Sequence, residues 1–214
     1  MARQERALRT RNALIESAAE LFDRDGFETA SLATISARAG VSNGALHFHF
    51  ASKAALAEAV REAAAQRLAR ITDGGAERGD GGALQMLIDT SHALVRGFGQ
   101  DVVLRAGFDL GDGRGSTGTG ADVCTRWRDW VEAAFARAAR EGALAPDASA
   151  RDATLAVVGA VAGFKALGGR DPEWLSPDTL TRFWSLLLPR VAQELTLGGL
   201  VAAGTAAGKE ALWF

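Results

Sequence analysis

The 214-residue chain is 48% hydrophobic and 23% charged with a formal net charge of −2, a composition that suits a globular protein with a sizeable core. The near-neutral charge excludes a globally basic nucleic-acid coat, and the single cysteine, Cys124, excludes an internal disulfide framework. MARQERALRTRN carries no apolar signal core, and apolar stretches such as 153–164 are too short for a bilayer, so a cytoplasmic protein with no membrane association is expected.

Helical spacing runs through almost the whole chain and no stretch alternates convincingly with period two, which predicts an all-α fold of about nine helices. Arg3, Arg6, Arg9 and Arg11 face one acid, Glu5, in the first dozen residues. That is either a solvated helix start or a basic arm suited to a polyanion. Leu14, Ala18, Leu21 and Phe22 form one apolar stripe on a first helix over about 4–24, which stops at Asp25-Gly26. Ser31 caps a helix over 32–39, and Gly40 ends it. Ser42 caps a shorter third helix, and Ser52 a fourth that reaches about residue 72. DGGAERGDGG, 73–82, reads as a loop.

Further helices are expected over 83–98, 101–110, 121–141 and 148–167. GDGRGSTGTG, 111–120, follows no strand and lacks the Gly-Lys-Ser/Thr ending of a phosphate loop, so it reads as a surface loop. Ser176 caps the last helix, with Pro177 at its first position, and Pro189 should kink or break it before about 197. The Gly-punctuated end reads as a loosely attached tail. The division expected is 1–55, 56–200 and a tail, 201–214.

SLATISARAG followed by VSNGALHFHF has helix-turn-helix spacing. Leu32, Ile35 and Ala39 face inward, Val41 plugs the turn, and Leu46 and Phe50 pack the second helix back. Ser42, Asn43, His47 and His49 remain outward, and small Ser36, Gly40, Gly44 and Ala45 allow close approach. On a helix His47 and His49 lie about 200° apart, so one face cannot present both to one ion. No metal or cofactor is expected. Both histidines are then plain surface residues, or the short second helix enters a major groove and they donate to phosphates or bases.

GFETASLATISARAGVSNGALHFHFASKAAL resembles the DNA-binding domain of TetR-family transcriptional repressors, through Phe27, the Gly40 turn, Phe48, Phe50, Lys53 and Leu56. The resemblance covers residues 4 to about 60. MARQERALRTRNALIESAAELFDRDGFE, VVLRAGFDL and the tryptophan of TRWRDW are similar to the γ-butyrolactone receptor branch. It implies that Ser31 and Ser42 touch phosphates, that Gly44 permits close backbone approach, and that His49 and Lys53 serve the DNA. Lys53, at the next helix's start, would be a phosphate partner, and Arg3 and Arg6 would reach the backbone or minor groove. Asn43 stands where the branch usually has lysine, and His47 where it has tyrosine. Asn43 keeps base-edge hydrogen bonding, with adenine as its geometric favourite, but loses a charge. His47 can still contact a phosphate, more strongly when protonated. A shifted operator preference or reduced affinity is expected.

The resemblance also implies a C-terminal helical ligand-binding and dimerisation domain over about 80–197. Its last two helices would form a four-helix bundle across a two-fold axis. Trp127 matches the tryptophan of the branch's ligand site. Met86, Phe108, Trp130, Val158 and Phe164 are candidate lining by spacing, and each also has an ordinary reading as core. Ala64 and Phe164 stand where the branch often has glutamine and threonine anchors, which suggests a pseudo-receptor for a bulkier or more aromatic compound. The function implied is a ligand-responsive repressor of secondary-metabolite genes that binds palindromic operator DNA as a homodimer and is released by a small-molecule inducer. That inducer is a γ-butyrolactone-like signal, an antibiotic or its precursor. The alternative is a regulator with weak or lost DNA binding that acts through protein partners. An enzyme is disfavoured: no nucleophile elbow, paired catalytic carboxylates or metal set is present, and no catalytic residue is assigned.

Overall fold

The stripe of Leu14, Ala18, Leu21 and Phe22 is buried, as its 3.6-residue period requires. It belongs to α1 (Ala2–Asp25), the first of ten α-helices among the described residues. The others are α2 (Leu32–Arg38), α3 (Asn43–His49), α4 (Lys53–Glu77), α5 (Gly82–Gln100), α6 (Val102–Asp109), α7 (Val123–Arg140), α8 (Ala150–Gly168), α9 (Pro177–Val191) and α10 (Glu194–Leu197). The structure is a computed structural model and describes residues 2–77, 82–112 and 122–205. Short 3-10 turns cover Leu110–Asp112 and Pro172–Leu175. Among the described residues there is no strand, only an isolated bridge between Leu144 and Ala192. The fold is all-α, as the periodicity predicts.

Two compact units divide the chain. The first holds residues up to Arg67 together with Asp101–Cys124. In it α1 packs on α2 and α6, and α2 on α3. Leu14, Leu21, Ile35, Leu46, Leu56 and Val60 are almost fully buried, each contributing about 1.5–3 kcal/mol by leaving water. Asp23 on α1 and Arg105 on α6 form a forked ion pair, with N–O distances of 3.0–3.2 Å. Gly107 on α6 lies so close to α4 that a Cβ there would stand 2.1 Å from the Ala64 Cβ.

The second unit comprises Leu68–Gln100 and the chain from Thr125 onward. The boundary expected near residue 55 falls inside α4, a continuous helix. At the centre α5 packs against α8 and α9. The buried Trp184 indole N–H donates to the Ser91 hydroxyl at 2.9 Å. Glu141 accepts from the Ala83 N–H at 2.8 Å, which caps the first turn of α5.

Two expectations are corrected, and the break expected at Pro189 is found. α4 continues to Glu77, so the first part of 73–82 is helix; 78–81 lie outside the described residues. α9 ends at Val191, two residues past Pro189, and α10 is separate. Proline offers no N–H to the Ser185 carbonyl, so the last turn is weak. The segment up to Thr205 is fastened rather than loose. Gln85, Asp89 and His92, at i, i+4 and i+7 on α5, hold it. Val201 N–H donates to Gln85 at 2.8 Å, His92 Nε2 meets the Ala202 carbonyl at 2.9 Å, and Thr205 donates twice to Asp89 at 2.8 and 2.7 Å. Most of the 111–120 loop and residues 206–214 lie outside the described residues.

Candidate nucleic-acid interface

The helix-turn-helix is built from caps. The Ser31 hydroxyl accepts from the Thr34 N–H at 3.1 Å and starts α2. At its end Gly40 adopts φ +68°, and Val41 N–H donates back to the Ser36 carbonyl at 3.0 Å. That closure needs a left-handed residue, which glycine supplies without strain. The Ser42 hydroxyl then accepts from the Ala45 N–H at 3.2 Å and starts α3. It accepts through a lone pair, so its own O–H stays available to a phosphate oxygen.

Leu46 and Phe50 bury one side of α3. Asn43, Gly44 and His47 are exposed, and His49 is half-buried. The His49 ring meets Phe48 edge-on at 5.2 Å and leans on Phe50 at 6.4 Å. Its packing between two phenylalanines sets its orientation. The largest exposed apolar group on the helix is Phe48, 82% exposed.

Asn43 does not stand free. Its Oδ1 shares the single proton of the buried Ser36 hydroxyl on α2 with the Ala33 carbonyl, each 3.0 Å away. Bidentate pairing with adenine needs both ends of the amide, and here the oxygen end already accepts from within the fold. Lys53 also departs from expectation. Its ammonium donates to the carbonyls of Phe27, Glu28 and Ala30 at 2.8, 3.0 and 3.1 Å. An ammonium has three donors, and all three are used within the fold. Lys53 fastens the α1–α2 loop, and a phosphate contact would break that arrangement.

Around the motif, Arg6 is exposed, Arg9 pairs with Glu5 at 3.5 Å, and Arg38 is bound to Glu20. The side chain of Arg3 lies outside the described residues.

The expected ligand residues stand on four helices: Met86 on α5, Phe108 on α6, Trp127 and Trp130 on α7, and Val158 and Phe164 on α8. Trp127 on α7 is 2% exposed and stacks on Trp130 at 5.4 Å. Its indole N–H has no hydrogen-bond partner among the described residues, and neither has the buried Thr90 hydroxyl on α5. Such orphaned groups are uncommon in native interiors. Met86 is buried one turn before Thr90. Phe164 belongs to an aromatic group with Trp174 at 6.3 Å and Phe183 at 5.8 Å. Val158 lines an open groove of about 630 Å³ between α7 and α8, beside Arg128, Glu132, Arg151 and Thr154. Phe108, half-buried on α6, lies in the first unit.

Residues 14–60 match the family of bacterial regulatory proteins described as the tetR family. CprB, a TetR-family protein from S. coelicolor A3(2), is 30% identical with a TM-score of 0.80, over 96% of this chain and 99% of that one. The chain belongs to the TetR family. A γ-butyrolactone receptor described as ArpA-like is 29% identical, TM-score 0.79, over 96% of this chain and 99% of that one. The A-factor receptor protein of Streptomyces griseus is 32% identical over 133 residues, which span 62% of this chain and 44% of that protein. CprB also has a structure in complex with its biological operator sequence, 29% identical, TM-score 0.76, over 90% of this chain and 93% of that one.

Within this TetR-family motif, sequence reasoning missed two residues. Phe48 entered only as part of an aromatic pattern, although an apolar residue outside the inward set of Leu46 and Phe50 was the available signal. Ser36 entered only as a small residue. Its signal was a hydroxyl on the inward face of an amphipathic helix, where it must find a partner.

Proposed function

We propose that this TetR-family chain is a ligand-responsive transcriptional repressor. It binds palindromic operator DNA as a homodimer in the cytoplasm and leaves it when a small molecule enters the second unit. The observation that carries the reading is α3: a capped helix held by buried Leu46 and Phe50 that presents Asn43, Gly44, His47 and Phe48 to solvent. A short helix of that kind fits a major groove. In this reading Ser31, Ser42, His47, Arg3 and Arg6 donate to phosphates, Asn43 and Phe48 meet base edges, Gly44 lets the backbone approach, and His49 supports Phe48. Lys53 serves by holding the loop.

A two-fold dimer would place two copies of α3 about 34 Å apart or somewhat more, one turn of duplex. Leu155 on α8 and Leu186 on α9 are 65% and 79% exposed, and exposed leucines on neighbouring helices suit a helical dimer seam. Among the described residues no helix is long and apolar enough to cross a membrane.

Trp127 is the residue we assign to the inducer, because its buried N–H has no acceptor among the described residues and a lactone or carbonyl oxygen would provide one. Met86 on α5 and Trp130 on α7 are the lining that goes with it. The relatives' names point to a γ-butyrolactone-like signal. Phe164 is buried and apolar and its side chain offers no hydrogen bond, which favours a bulkier or more aromatic compound such as an antibiotic or its precursor, and control of secondary-metabolite genes.

Fluorescence anisotropy on the fragment upstream of the gene, over a salt series, tests the reading. Tight, salt-steep binding with a two-fold footprint supports it, and a flat response at low salt overturns it. Calorimetry with butyrolactones and aromatic polyketides then tests the inducer; tight binding of a simple butyrolactone would overturn the pseudo-receptor assignment.

A further inference from the structure

Ser36 lies on the inward side of α2 and is 4% exposed. Its hydroxyl stands 3.0 Å from the Ala33 carbonyl and 3.0 Å from Asn43 Oδ1. Asn43 is the first residue of α3 and is itself exposed. The amide therefore spans from the interior of the motif to its outer surface. One end is tied to a buried group, and the other faces out.

The chemistry of that outer end follows. Asparagine reads adenine with both ends at once: Oδ1 accepts from N6–H while Nδ2 donates to N7. With Oδ1 turned inward to buried Ser36, Nδ2 is the end of the amide that faces the groove. A group that only donates prefers an edge that only accepts. Guanine offers O6 and N7 side by side, whereas adenine sets a donor beside its N7. We propose that Ser36 is a positioning residue: it holds Asn43 as a one-ended donor, so the operator base beneath it is read as guanine rather than adenine. A buried hydroxyl on α2 thereby sets a base preference on α3 without touching DNA. The inference rests on the DNA-binding reading.

Selection from a randomised palindromic library by the full-length protein tests it, with Asn43→Ala, Ser36→Ala and Ser36→Thr run in parallel. The position that Asn43 reads is the one whose preference Asn43→Ala flattens. There the wild type should favour guanine over adenine by about fivefold or more. Ser36→Ala frees Oδ1 and should reverse the preference toward adenine by a similar factor. Ser36→Thr keeps the hydroxyl and should keep guanine. Circular dichroism checks folding, and Ser36→Cys, close in size with a weak donor, replaces the alanine variant if that does not fold.

A wild type that selects adenine there overturns the proposal. So does a folded Ser36→Ala with the wild-type consensus, or an Asn43→Ala that flattens nothing. In all three cases an operator is still selected, and the DNA-binding reading stands. A wild type that enriches no sequence removes both.

Discussion

The Lys53 ammonium stands 2.8 Å from the carbonyl oxygen of Phe27 and 4.5 Å from the centre of the same residue's ring. One cation thus meets a carbonyl and an aromatic face of one residue, 26 positions earlier in the chain. With the Glu28 and Ala30 carbonyls it gathers the turn between α1 and α2. Replacing Lys53 with methionine keeps the stem and removes the charge. The loss should be about 2 kcal/mol in denaturant unfolding. Operator binding by the folded variant should keep the wild-type salt slope. A true phosphate contact would lower that slope by about one, so the slope separates the two roles.

Phe48 has the opposite character, since it supports little of the fold and faces out. Phe48→Ala should change stability by less than about 0.5 kcal/mol. It should weaken operator binding by about fivefold, if the ring meets a thymine methyl group as apolar side chains do. Operators with uracil in place of thymine lack that methyl. They should bind the wild type more weakly at one position and leave the variant unaffected there. An equal loss in both proteins would show that Phe48 does not read the methyl.

Trp127 combines a buried ring with an N–H that has no partner among the described residues. Trp127→Phe removes the orphaned donor and some volume. The two effects oppose each other, so stability should stay within about 1 kcal/mol. Trp127→Ala should cost about 3–5 kcal/mol. The phenylalanine variant should still bind the operator but need tenfold or more inducer for release. An unchanged release curve would remove Trp127 from the inducer's contacts.

Glu141 gives a pH dependence. The Ala83 N–H first, and then Arg137, hold its carboxyl below the usual carboxylate range. The folded value is lower than the unfolded one, so the ionised form stabilises the fold. That stabilisation is complete above about pH 4.3 and fades as the pH falls through the lowered folded value. In thermal melts Glu141→Gln should lie below the wild type at neutral pH. The gap should close on acidification below the usual range. A constant gap at every pH would show that the proton on Glu141 does not matter to the fold.

Local rules made much of this legible. Ser31, Ser42 and Ser176 were readable as caps because each needs only an N–H three residues on, and all three make that bond. Gly40 was readable as the turn because only a left-handed residue closes it. For Phe164, spacing says that the residue is buried without saying beside what. Here it joins Trp174 and Phe183.

The sequence by itself determined the helices, their caps, the helix-turn-helix and the family, since these rest on periodicity and on bonds spanning a few residues. Tertiary structure alone decided that Lys53 binds the loop after α1, that Ser36 holds one end of Asn43, and that Gln85, Asp89 and His92 fasten the segment ending at Thr205. The lysine, asparagine and histidine had outward readings open to them as polar residues. Which partner each took depended on where distant backbone carbonyls and side chains came to lie, and no local pattern encodes that.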